Sequence, residues 1–143
     1  MPLLTELALA TAMVVVTAMI HGFGLLVIGR SLRALDRGVV DAELDPLSWV
    51  GAAYTSMVVL GLLALAGIEI WLYAFVYLAV GATATLPDSV YFSTITFAAI
   101  GYSDAPLATP WRLVGAIEGV NGVLLLGWSV AFLVAELQRV RHR

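Results

Sequence analysis

The sequence predicts an all-α membrane protein. Three observations carry that prediction. The chain is 62% hydrophobic and only 12% charged, whereas a soluble domain is about 45–50% apolar and about 25% charged. It contains three apolar runs, Leu7 to Ile28, Trp49 to Ala82 and Leu113 to Leu137, each at or above the roughly 20 residues that span a bilayer. Between the last two lies Leu86 to Leu107, whose middle, VYFSTITFAAIGYSD, is too short to span and too apolar for an exposed loop. The 143 residues carry a net charge of −3, no lysine and seven arginines, so the basic surface that tracks phosphates cannot be built and nucleic-acid binding is excluded. Without a cysteine there is no disulfide scaffold, thiolate metal site or cysteine nucleophile.

The first run follows Glu6 and stops at Arg30 and Arg33. It has no basic n-region and exceeds the length of a signal-peptide core, so it reads as a membrane helix, with 1–30 as an N-terminal helical unit. Residues 31–48 form a linker that, with Arg30 at its edge, carries Arg33 and Arg37 together with Asp36, Asp41, Glu43 and Asp45, predicted as a short solvated helix or turn. The second run, 49–82, would be about 51 Å long as one helix. It must tilt and project, or break near Gly67 or Gly81. Its one charge, Glu69, falls near the far interface, where Trp71, Tyr73, Phe75 and Tyr77 suit an aromatic belt. The third run belongs to a helix over 110–138, with Pro110 in its first turn and Thr109 as cap candidate. Arginines cluster in the linker and at Arg139, Arg141 and Arg143. The positive-inside rule then places linker and C-terminus in the cytoplasm and the N-terminus outside, in a plasma (inner) membrane crossed three times.

The 83–110 segment therefore lies on the outer side. Its apolar middle fits a re-entrant loop, because non-helical backbone at membrane depth survives only when buried in protein or lining water. Residues 89–104, SVYFSTITFAAIGYSD, resemble the pore helix and selectivity filter of the tetrameric potassium-channel superfamily, an aromatic-rich helix followed by TVGYG and an aspartate. The likeness is gapless from Tyr91 to Asp104 and covers about residues 46–137; small bacterial potassium-channel-like proteins with one extra N-terminal helix are similar. The resemblance implies a pore module over 49–138, comprising an outer helix 49–82, a pore helix 88–98, a filter 99–104 and an inner helix 110–138, assembled as a homotetramer in the lipid bilayer. It implies permeant K+, with Na+ also passing, held by the carbonyls of Ala99, Ile100, Gly101, Tyr102 and Ser103, and a ring of Asp104 carboxylates at the outer mouth. No other cofactor and no small-molecule substrate are implied. Gly122 stands where the family's inner helix often hinges.

Physical chemistry gives the same segment a function of its own. A filter stacks carbonyl rings that replace an ion's hydration shell, which needs backbone that aims successive carbonyls at one axis. Gly101 permits this, since glycine enters positive φ cheaply. The pore helix would aim its negative C-terminal end at a central cavity, with Asp88 capping its N-terminus. Two residues depart from the family pattern. Ala99 replaces the filter threonine and removes a hydroxyl ring. Ser103 replaces the last filter glycine, which costs roughly 1–2 kcal/mol per subunit where that position is left-handed. Both favour cation passage over strict potassium selectivity; a collapsed filter in a non-conducting membrane subunit or scaffold is the alternative.

Glu69, Glu118 and His21 are ionisable residues at membrane depth, functional candidates by default. Glu118 could bond the backbone behind the filter or a pore-helix hydroxyl such as Ser93, Thr94 or Thr96, or be an uncharged structural carboxyl. Asn121 lies three residues on, so the two share a helix face. Glu69 completes the candidate support behind the filter, with a solvated interfacial role as its alternative. His21 could sense protons or simply bond a neighbouring helix. Gly119, Gly122 and Gly127 could pack helices closely or, at Gly122, form a hinge. GYSDA resembles a nucleophile elbow, but no α/β sheet or histidine base accompanies it, so an enzyme is not expected. No helix repeats arginine in the manner of a voltage sensor, and no nucleotide-binding motif is present.

Overall fold

The computed structural model describes residues 3–36, 49–101 and 107–141. Tyr102, Ser103 and Asp104, and linker residues 37–48, lie outside the described residues. In chain order the elements are α1 (Leu3–Asp36), α2 (Trp49–Ala79), α3 (Leu86–Phe97), a 3-10 turn (Thr109–Trp111) and α4 (Arg112–Arg141). Among the described residues there is no strand. α1, α2 and α4 are each long and apolar enough to cross a membrane, which makes this an all-α membrane protein. α1 packs on α2 and α4, and α3 packs on the same pair.

α1 buries one stripe, Ala10, Met13, Thr17, His21, Leu25 and Leu32, spaced by threes, fours and one seven as a single helix face requires. Its outer face, with Val15, Val16, Met19, Phe23 and Leu26, is exposed and apolar. The helix runs past Ile28 and takes in residues 31–36, which the sequence places in the linker. Hydropathy marks where lipid ends and says nothing of where helix ends. Leu32 packs on Tyr54 and Val58 and holds the extra turns.

α2 does not break at Gly67. It stops at Ala79, three residues short of the expected 82, in a Schellman closure. Gly81, at φ 67°, donates to the Leu78 carbonyl (3.1 Å), and Ala82 donates to that of Tyr77 (2.8 Å). The expected aromatic belt also divides. Trp71 and Phe75 are exposed, whereas Tyr73 and Tyr77 are buried. At 100° per residue the two i, i+4 pairs occupy different faces, so proximity in sequence misassigned half of the set.

α3 begins at Leu86, two residues earlier than expected. Thr85 is the N-cap, accepting from the Asp88 backbone N–H (3.3 Å) and donating to Asp88 Oδ2 (2.7 Å). Asp88 therefore sits one turn inside the cap and completes a reciprocal pair rather than capping the helix itself. α4 begins at Arg112, after Pro110 has been spent in the 3-10 turn.

The 83–107 segment is pinned at its neck, where the Ala108 N–H donates to the Ala82 carbonyl (2.8 Å). From that neck α3 descends into the bundle. Ser93 reaches the Ile70 carbonyl (3.0 Å), and the Phe97 backbone rests on Gly122. Gly122 lies about 15 Å along α4 from its start at the usual helical rise. The segment is thus re-entrant. A core of Met13, Tyr73, Tyr77, Phe92, Leu107, Trp111 and Val114 fills the space around the neck.

A Cβ on Gly122 would stand 2.1 Å from the Phe97 carbonyl oxygen and 2.8 Å from its carbon, while one on Gly127 would meet nothing within 4 Å. Packing alone accounts for glycine at 122, in a helix that runs through it unbroken. Gly122→Ala is expected to cost about 1–3 kcal/mol, the usual range for overpacking, and Gly127→Ala to be neutral or stabilising, as measured by denaturant unfolding in detergent.

Candidate functional site

The apex of the re-entrant segment is a second Schellman closure. Ala99 donates to the Thr96 carbonyl (2.9 Å) and Ile100 to that of Ile95 (2.8 Å). The Ala98 N–H is bonded back to Thr94 (3.1 Å), and Gly101 also reaches Ile95 (3.1 Å). The C′ position is normally glycine, yet here Ala99 holds it at φ 56°. Gly101 follows at φ 59°, and Ile100 between them is on the ordinary side of φ. Handedness therefore alternates over three residues. Gly101 has the positive φ the sequence assigns it; Ala99 was not expected to share it, because its only sequence cue was the lost threonine hydroxyl. Ala98, Ala99, Ile100 and Gly101 are all exposed on the single chain, with the Ile100 side chain 64% exposed.

Behind this apex the helices meet through buried polar groups in four tiers. In the first, Ser93 of α3 donates to Glu118 Oε1 (2.5 Å) and Tyr77 of α2 donates to Oε2 (2.5 Å). Both carboxyl oxygens of a fully buried glutamate are thereby satisfied, as a lipid-embedded bundle demands. Of the three hydroxyls expected as partners for Glu118, Ser93 is the one used. Thr94 turns back to its own helix at the Val90 carbonyl (2.7 Å).

In the second tier, Asn121 Nδ2 donates to Thr17 Oγ1 (2.8 Å) and lies 3.3 Å from the Tyr73 hydroxyl. Thr17 passes its proton to the Met13 carbonyl (2.8 Å). Glu118 and Asn121 share a helix face, but they bond different neighbours, one towards α3 and the other towards α1. In the third tier, His21 Nδ1 lies 2.9 Å from Glu69 Oε1, and His21 Nε2 lies 3.3 Å from Ser129 Oγ. Glu69 is fully buried and bonds to His21 rather than to α3, which corrects the expectation of a solvated interfacial carboxylate. The fourth tier, at the other end of the bundle, joins Tyr54, Glu136 and Arg139, with Arg139 Nε on Glu136 Oε2 (2.9 Å) and Arg139 Nη2 on the Tyr54 hydroxyl (3.1 Å).

Sequence reasoning missed Tyr73, Tyr77, Thr17 and Ser129 as members of this network. The signal was present in part. Thr17 and His21 are four apart on α1, as are Tyr73 and Tyr77 on α2, so each pair marks a polar strip on one face. Among the described residues no group of His, Cys, Asp and Glu is placed to hold a metal ion.

A family model described as ion channel matches residues 58–139, more than half of the chain, taking in all of α3 and the apex, most of α2 and nearly all of α4. The chain belongs to this ion-channel family, which is potassium-channel-like. No curated protein and no solved structure matches it. α1 and the first turns of α2 lie outside the matched region.

Two outcomes are expected from this geometry. Ala99→Gly relieves a left-handed alanine and should stabilise the protein by about 1 kcal/mol, read as a shift in the unfolding midpoint. Glu118→Ala strands the buried Tyr77 hydroxyl, while Ser93 keeps the Ile70 carbonyl, at a cost of about 1–3 kcal/mol. In a double-mutant cycle with Tyr77→Phe its cost should fall well below the sum of the single costs.

Proposed function

We propose that four copies of this chain close around a common axis in a plasma membrane and form a potassium-channel-like cation channel. The ions pass through a filter of backbone carbonyls contributed by Ala99, Ile100, Gly101, Tyr102 and Ser103. The observation that carries the reading is the alternation of positive and negative φ across Ala99, Ile100 and Gly101, directly after a re-entrant helix in a chain of the ion-channel family. Alternating handedness turns consecutive carbonyls to one side, as a carbonyl-lined path requires. The exposure of Ala98 through Gly101 on the isolated chain supports their meeting copies of themselves and the permeant ion in the assembly, where a four-fold axis closes the ring.

The parts of the site divide the work. α3 points its C-terminal end, with its partial negative charge, at the apex and so favours cations below it. Glu118, through Ser93, fixes the depth and rotation of α3 from α4. Asp104, as a ring of four, raises the local cation concentration at the mouth. K+ passes, and Na+ is not strictly rejected, because Ala99 supplies a carbonyl without the hydroxyl ring and Ser103 stands where glycine would relax the backbone. Conduction is passive, with no covalent step and no substrate other than the ion. The arginines near the chain's end and in the linker orient these ends to the cytoplasm.

The test is ion flux into liposomes carrying the purified protein, with K+, Na+ and protein-free vesicles in parallel. Flux of both cations above the protein-free background is expected, with K+ ahead. The double variant Ala99→Thr with Ser103→Gly should raise the K+ to Na+ ratio by roughly tenfold, the factor that 1.4 kcal/mol of differential ion binding supplies. Absence of flux from both the natural protein and the double variant would sink conduction in favour of a non-conducting membrane subunit.

A further inference from the structure

The third polar tier has no task in conduction. His21 belongs to α1, outside the region matched by the channel family, and is 1% exposed. It lies at the centre of the α1 stripe, near the middle of a 34-residue helix. Its two ring nitrogens engage two different helices, Glu69 on α2 at 2.9 Å and Ser129 on α4 at 3.3 Å. The Trp128 ring of α4 lies 5.4 Å from the imidazole. Glu69 Oε2 is buried and has no hydrogen-bond partner among the described residues.

We propose that His21, Glu69 and Ser129 form an intramembrane proton-binding site through which α1 controls the pore module. The coupling half of this proposal rests on the conducting function proposed above; the proton site itself does not.

Proton bookkeeping supports the site. The Nδ1 to Oε1 contact needs one proton between the two atoms, on either side. With that proton in place and Nε2 carrying the other ring proton, the pair is electrically neutral overall, which low-dielectric burial favours. A further proton leaves an uncompensated positive charge among three helices, and loss of one leaves a negative charge. In the neutral pair Ser129 accepts from the Nε2–H, and by turning its hydroxyl to donate to a bare Nε2 it can also serve the pair after one proton is lost. The bare Oε2 is the one vacancy in the cluster that can take a further proton.

The neighbours do not supply another charge to cancel such a change. On α1 the next polar residue in the buried stripe is Thr17, and on α2 it is Tyr73, both bonded to Asn121. On α4 the facing groups are Ser129, Trp128 and Asn121. Glu118 and Tyr77 are bonded to each other in the tier above, and Tyr54, Glu136 and Arg139 form the tier at the other end. α3 turns only Ser93 this way, at the Ile70 carbonyl. A change of charge at the pair is therefore relieved by movement of α1 or by admission of water.

Such a movement has a short route to the pore. Glu69 is bonded in sequence to Ile70, whose carbonyl is 3.0 Å from the Ser93 hydroxyl, and Ser93 holds Glu118. α1 thereby acts on the seat of α3 without touching the filter. The His21 ring joins α1 to both α2 and α4 by side-chain hydrogen bonds.

The experiment reads proton occupancy and flux separately on the full-length protein in liposomes, between about pH 5 and 8, where histidine normally changes charge. An imidazolium beside indole quenches its fluorescence, so Trp128 is a built-in reporter. Tryptophan emission is expected to titrate in the natural protein, to lose that titration in His21→Gln, and to titrate with a shifted midpoint in Glu69→Gln. Cation flux is expected to change roughly tenfold with the same midpoint, within the usual range of coupling between sites, and to become independent of pH in His21→Gln. Trp128→Phe should lose the optical signal and keep the flux titration, which covers the case in which a variant at His21 fails to fold. An emission titration unchanged by both His21→Gln and Glu69→Gln overturns the proton site. Emission that titrates as expected while a measurable flux ignores pH overturns the control of the pore by α1. Flux absent at every pH from the natural protein and from the Ala99→Thr, Ser103→Gly variant overturns conduction and that control together, leaving the proton site to be judged by emission alone.

Discussion

The seat of α3 on α4 is the constraint on which the remaining architecture depends. The Phe97 backbone lies where any Cβ at position 122 would stand, so the re-entrant helix reaches its depth only because α4 offers bare backbone there. Four residues earlier on α4, one helical turn, Glu118 fixes the same helix laterally through Ser93. A contact that admits no side chain and a carboxyl that admits no unsatisfied oxygen together leave α3 little freedom to slide or rotate. The apex then follows from the seat. The helix must stop immediately after Phe97, and the Schellman bonds of Ala99 and Ile100 to Thr96 and Ile95 stop it.

The second organising fact is the absence of a hydrophobic driving force between helices in lipid. Association there relies on close packing and on hydrogen bonds between helices. This chain uses both. Gly24 and Gly61 admit Leu65 and Ile28 between α1 and α2, and four tiers of polar side chains link the helices at different depths. The packed pairs α1–α2, α1–α4, α2–α3, α2–α4 and α3–α4 each include at least one residue whose hydroxyl, amide, imidazole or carboxyl crosses to the neighbour. Those crossings fix rotation about each helix axis, which apolar packing alone leaves loose when all faces of a helix are greasy.

α1 is joined to the family's pore fold by the middle tiers. Thr17 and His21 are the polar residues of its buried stripe, and they meet Asn121, Glu69 and Ser129. The remaining contacts of that stripe are apolar. A helix that needed only to be anchored could have used leucine at both positions, so the polar pair makes α1 specific in register as well as attached.

The sequence alone determined the all-α membrane class, the three spans, the re-entrant segment and the kinship of residues 89–104, because hydropathy, length and a gapless motif are properties of the chain read in one dimension. It also offered a pore-helix hydroxyl as one of the partners for Glu118, and the structure takes that one at Ser93. Tertiary structure decided the rest. Glu69 lay near a span's end by counting, yet it is buried because α1 covers that face of α2. Tyr73 and Tyr77 read as interfacial by their proximity to Trp71, yet helical rotation turns them inward. Gly122 read as a packing glycine or a hinge, and its neighbour in space, Phe97, is distant in sequence. Ala99 read as a lost hydroxyl, yet it is the residue that turns left-handed to end α3. For Glu69 and Gly122 the deciding contact joins two helices, and a single sequence records which residues lie on a helix face without recording which helix that face will meet.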